Sequence, residues 1–155
     1  MSDPQPEITP TLETAAEVRA DIRQALVEVE DAIAAAAPGR FAEWTEAVQK
    51  ALTHLHYAFH EHIEVAEGGG LYEEVLEREP RLLPAVTKLK DEHPVILKAI
   101  HAPYRRLRER ASDDFVPAEE IRDDVLKALA RITRHRQKGA DLVYEAYFVD
   151  LGGLD

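Results

Sequence analysis

Residues 121–146 read IRDDVLKALARITRHRQKGADLVYEA, and their periodicity decides the fold. Ile121, Val125, Ala128, Ile132, His135, Gly139, Leu142 and Ala146 recur at alternating steps of four and three, so all fall on one face of an α-helix. Glu119 and Glu120 follow Pro117 and place negative charge at the positive end of the helix dipole. This fourth long helix is therefore read from about Pro117, after Ser112-Asp-Asp114, to the Gly152-Gly153 stop.

Working back along the chain gives three more helices of the same kind. Helix one spans Thr11 to Ala37 and stops at Pro38-Gly39, with Leu12, Ala15, Ile22, Leu26, Val29 and Ile33 as its stripe and Arg19 in the slot between Ala15 and Ile22. Helix two runs from Phe41 to Glu67, carries Trp44, Val48, Leu52, Leu55 and Phe59 on one side, and ends at Gly68-Gly-Gly70. Leu71 to Arg78 reads as one or two further helical turns. Helix three begins near Pro80 or Pro84 and continues to about Arg110, with Pro94 and Pro103 expected to kink or interrupt it. Four long amphipathic segments with no period-two alternation predict an all-α, up-down-up-down four-helix bundle with a short extra helix between helices two and three. Residues 1–10 read as a flexible N-terminal tail and residues 11–155 as the bundle.

Composition narrows the chemistry. Thirty acidic against 19 basic side chains give a net charge of -11, which repels phosphate backbones and anionic lipid, so no nucleic acid and no membrane is expected as a partner. No stretch approaches the roughly 20 apolar residues of a membrane span, and no secretory signal opens the chain, so a cytoplasmic location is expected. Cysteine is absent, which removes disulfides, thiolate metal sites and a cysteine nucleophile. Any metal must be held by His, Asp or Glu, and the expected partner is a small molecule or a metal. Helix one, rich in alanine and valine, can also pack against a second copy, so a homodimer is a further expectation.

Seven histidines make imidazole the place to look. On helix two the stripe through Leu52, Leu55 and Phe59 continues onto His62, whereas His54 and His60 point away and His56 sits at the flank. On helix three His93 lies between Leu89 and Ile96, with His101 nearer the edge; on helix four His135 lies between Ile132 and Gly139. At about 1.5 Å rise per residue His93 and His135 come to about equal heights in the bundle, with His62 within two turns of them, so the three can share one layer. One buried histidine is ordinarily a core residue with a hydrogen-bonded nitrogen; three together make His62, His93 and His135 the candidate metal ligands.

Four helices with His62 before a glycine turn, Glu92-His93 in helix three and His135 on helix four resemble the hemerythrin-like, HHE cation-binding domain family, over residues 12 to 150. The resemblance implies a di-iron pattern of one histidine on helix one, His-x3-Glu on helix two, His-x3-His on helix three and His-x4-Asp on helix four. Here helix one has no histidine, and Ala66, Leu97 and Ala140 stand where the following ligands would be. Without bridging carboxylates to hold two cations about 3.5–4 Å apart, a complete di-iron centre is not expected. His60 and Glu64 form a His-x3-Glu pair in an alternative register that would restore one bridge but turn both residues away from the stripe.

The expected function is that of a divergent hemerythrin-like protein holding one iron or zinc ion through inward histidines, with a redox or small-molecule sensing role. The alternative is a metal-free bundle that binds a small ligand or another protein. No Ser-His-Asp arrangement is apparent, so no catalytic residue is assigned. Gly68-Gly-Gly70 follows a helix and reads as its stop, and the basic runs at Arg105–Arg108 and Arg131–Lys138 are expected to pair with nearby carboxylates.

Overall fold

The computed structural model describes residues 7–109 and 118–149. It is a bundle of five helices, α1 (Pro10–Ala34), α2 (Phe41–Ile63), α3 (Leu71–Arg78), α4 (Leu83–Arg108) and α5 (Ala118–Tyr147), with no strand among the described residues. None of these helices is long and apolar enough to cross a membrane.

The helix boundaries follow from local chemistry. Thr9 caps α1, its hydroxyl accepting the Leu12 N–H at 3.1 Å, with Pro10 in the first turn where no donor is missed. The same hydroxyl donates to the Glu74 carboxylate of α3 at 3.1 Å, tying the start of α1 to the bundle. α1 stops at Ala34, earlier than Ala37, because Ala35 turns to an extended conformation and Ala37 is itself buried in the core.

The regular part of α2 ends at Ile63, short of the expected Glu67. Over Glu64–Gly68 the chain widens into one π-type turn, closed by the Gly69 N–H donating to the Glu64 carbonyl at 2.7 Å. A Cβ on Gly69 would stand 2.8 Å from the Val65 carbonyl oxygen, and Gly70 follows with φ +89°. Gly69 therefore admits the wide turn and Gly70 the left-handed residue that starts α3.

α4 runs unbroken through both Pro94 and Pro103, so neither proline interrupts it. Each proline removes only one backbone donor, and the continuous buried face of Val86, Leu89, His93, Ile96, Ile100, Pro103 and Leu107 holds the helix together across the gaps. α5 ends at Tyr147 instead of Gly152-Gly153. Residues 1–6, Ser112–Asp114, Pro117 and Gly152-Gly153 lie outside the described residues.

α1 packs chiefly on α2, α2 on α4, and α4 on α5. At one end Arg122 of α5 donates to the Ile33 and Ala35 carbonyls, each at 2.7 Å, and lies 5.3 Å from the Trp44 ring centre. The end of α1 and the starts of α2 and α5 thus meet there, and an Arg supplies the donors that the last carbonyls of α1 lack. Arg122→Ala is expected to lower the unfolding free energy by about 1–2 kcal/mol in urea titrations, with Arg122→Lys recovering only part of it. At this end Arg106 also pairs with Glu120 and Asp124, while Arg105 pairs with Glu109, so these two residues of the basic run are neutralised as expected.

The core divides into two clusters. The larger gathers Ile22 to Ile33, Trp44 to Phe59, Ile96, Ile100, Leu107 and Ile121 to Ile132; the smaller gathers Ala66, Leu71, Tyr72, Val75, Leu82 to Leu89 and Leu142 to Tyr147, with Leu12 and Ala15 against it.

Candidate metal centre

Between the two clusters lie His93 and His135, the only fully buried polar or charged side chains among the described residues, each 2% exposed. His62 joins them from the end of α2. The ring centres of His62, His93 and His135 stand 5.0–5.3 Å apart. Phe59, wholly buried one turn before His62, touches all three, with ring centres 5.3, 5.9 and 5.6 Å away. One ligand nitrogen from each imidazole falls within 4.8 Å of the other two. The layer counted from helical rise is therefore present.

Hydrogen bonding fixes which nitrogens face inward. The Nδ1 of His93 lies 2.7 Å from Glu67 Oε2, and the Nδ1 of His135 lies 2.8 Å from Glu92 Oε1. An ionised carboxylate only accepts, so each ring carries its proton on Nδ1 and, when neutral, turns an Nε2 lone pair toward the centre. Burial pushes the His135 pKa down, with Glu92 opposing. Burial, aided by the neighbouring His135 and His93, pushes that of His62 down to about 3. Burial works against the Glu92 carboxylate, but hydrogen bonds from Lys138, at 2.6 Å, and from His135 hold its pKa below the ordinary value.

The inward lone pairs have partners. His62 Nε2 lies 3.2 Å from His135 Nε2, and since the latter is an acceptor, His62 donates. Tyr72 of α3 stacks on His93 with ring planes 13° apart, and its hydroxyl donates to His93 Nε2 at 3.3 Å. Burial raises the Tyr72 pKa, which keeps the phenol protonated.

The spacing of one pair of rings suits a metal ion. Two imidazole nitrogens about 2.0–2.1 Å from one tetrahedral ion stand about 3.3–3.4 Å apart, close to the 3.2 Å between His62 and His135. Nδ1-bound carboxylates behind two of the three rings are the arrangement that orients imidazole ligands and raises their basicity.

The other histidines are elsewhere. His54 binds Glu28 at 2.6 Å and Asp21 at 3.4 Å, joining α2 to α1. His56 and His101 face each other at 6.2 Å outside the cluster. His60 and Glu64, the alternative register, are exposed and 3.8 Å apart, so they do not enter the centre. Ala66 is buried, and Leu97 and Ala140 are half-buried, so the three follower positions supply no ligand atom.

Sequence reasoning found the three histidines but missed Glu67 and Tyr72 and gave Glu92 no role. Glu67 falls five residues after His62, inside the widened turn, where a regular helical count assigns it no inward place. Comparison with protein-family models, with curated proteins and with solved structures finds no match to this chain.

Proposed function

We propose that this protein binds one iron or zinc ion through the Nε2 atoms of His62, His93 and His135, within a divergent hemerythrin-like up-down-up-down four-helix bundle, and that it serves to bind or sense a small molecule. The observation that supports this best is the pair of carboxylates, Glu67 and Glu92, on the outer nitrogens of His93 and His135. They aim two lone pairs inward, and their two negative charges offset the double positive charge of a divalent ion in a poorly solvated layer. Tyr72 places a hydroxyl beside His93 Nε2 as a further oxygen donor or hydrogen-bonding group. Such an ion supplies Lewis acidity, or for iron a redox-active centre, with a position left for an external ligand.

A second reading, a metal-free bundle binding a small ligand or another protein, draws support from the hydrogen bonds that already engage the rings, Tyr72 to His93 and His62 to His135. Metal content separates the two. Protein purified without an affinity tag, incubated anaerobically with ferrous iron or zinc and desalted, is expected to retain about one ion per chain, as three imidazoles converging on one point allow. Glu92→Gln and Glu67→Gln are each expected to weaken metal affinity about 10–100-fold in chelator competition. A folded helical protein that retains no metal would overturn the metal reading and leave the second.

A further inference from the structure

Several of the cations in this acidic chain have a carboxylate partner, among them Arg40 with Glu43, Arg81 with Glu145 and Lys138 with Glu92. Arg19 and Arg136 have none among the described residues. Arg136 is half-buried, and its Nε is shielded from solvent with no hydrogen-bond partner. Arg19 and Arg23 stand near enough for their positive charges to act on it. A chain with net charge -11 could have placed a carboxylate here and has gathered like charges instead.

Arg19 and Arg136 line a cavity of about 40 Å³ between α1, α3, α5 and the end of α2, whose other polar walls are His62, His135 and Tyr72. No carboxylate lines it. The space admits a ligand of only a few heavy atoms. A guanidinium N–H shielded from solvent without a partner, as at Arg136 Nε, is costly, and a planar oxyanion matches a guanidinium fork with two parallel hydrogen bonds. Gly139 contributes no side chain to the wall, where a larger residue would narrow the space.

We infer that this cavity binds a small planar oxyanion of the formate, nitrite or bicarbonate class, with Arg19 and Arg136 as its charge partners and one oxygen toward the His62–His135 edge. The inference deepens the metal reading, since His62 and His135, which would hold the metal, line the same cavity, yet the arginine half of the site needs no metal.

The test is a titration of carbon-13 formate, followed by its line width, into metal-free and zinc-loaded protein at constant ionic strength with chloride as the balancing anion. Saturable broadening is expected in both forms, tighter with zinc. Arg136→Gln and the exposed-side variant Arg19→Gln should each weaken it about tenfold with zinc content unchanged, the loss of one charge-assisted hydrogen bond. Competition by nitrite and bicarbonate then ranks the members of the class. Formate that fails to saturate either form, or binds both arginine variants as it binds the parent, overturns the anion site. If zinc is not retained, the metal reading fails by itself, and the titration of the metal-free chain still decides the anion site.

Discussion

Replacing His93 with alanine should reduce retained metal from about one ion per chain to background and destabilise the metal-free bundle by about 2–3 kcal/mol. Both effects come from one side chain. His93 is 2% exposed and stands between Glu67 on its outer nitrogen and Tyr72 on its inner one. Its removal leaves a buried hydroxyl without its acceptor and a carboxylate without its donor, and opens a void beside Phe59. Where metal is present at a hundred times its dissociation constant, the parent gains about 2.7 kcal/mol from binding that the variant cannot. Urea unfolding with and without chelator reads the two contributions separately. A variant that retains a full complement of metal would remove His93 from the ligand set.

Phe59→Ala is expected to cost about 3–5 kcal/mol, the largest effect of any single truncation near the centre. The ring is fully buried and forms a wall common to all three imidazoles, so no single neighbour can collapse into the space it leaves. Metal affinity should fall with stability, because each ligand loses the surface that limits its rotamers. Phe59→Leu, which keeps most of the volume, should cost less than half as much and largely preserve metal uptake. Denaturant midpoints and metal stoichiometry on the same samples check both expectations.

The histidine layer was legible in the sequence because burial on a regular helix is periodic. His135 shares its face with Ile132 and Leu142, and His93 shares its own with Leu89 and Ile96, so counting was enough. The helix interiors were legible for the same reason. What escaped was whatever depends on a departure from 3.6 residues per turn or on an element too short to show a period. The wide turn at Glu64–Gly68 admits an additional residue, and Glu67, not Ala66, becomes the acidic neighbour of the centre. Tyr72 sits on an eight-residue helix whose orientation is set by Gly70 and by packing on α5, neither of which a one-dimensional pattern contains. At Pro94 and Pro103 the sequence left open whether the helix is interrupted, and the long buried face keeps it continuous.

The division of the core into two clusters, with the imidazoles between them, bears on how the molecule breathes. Apolar contact that is interrupted by a polar layer does not transmit cooperativity as a continuous core does, so the smaller cluster can open while the larger stays intact. Amide exchange should then fall into two sets, with Leu71–Val75 and the last turns of α5 exchanging ahead of mid-α2. A ligand that joins His62 of α2 to His93 of α4 and His135 of α5 acts as a rivet within that seam, and its arrival is expected to merge the two sets into one unfolding unit.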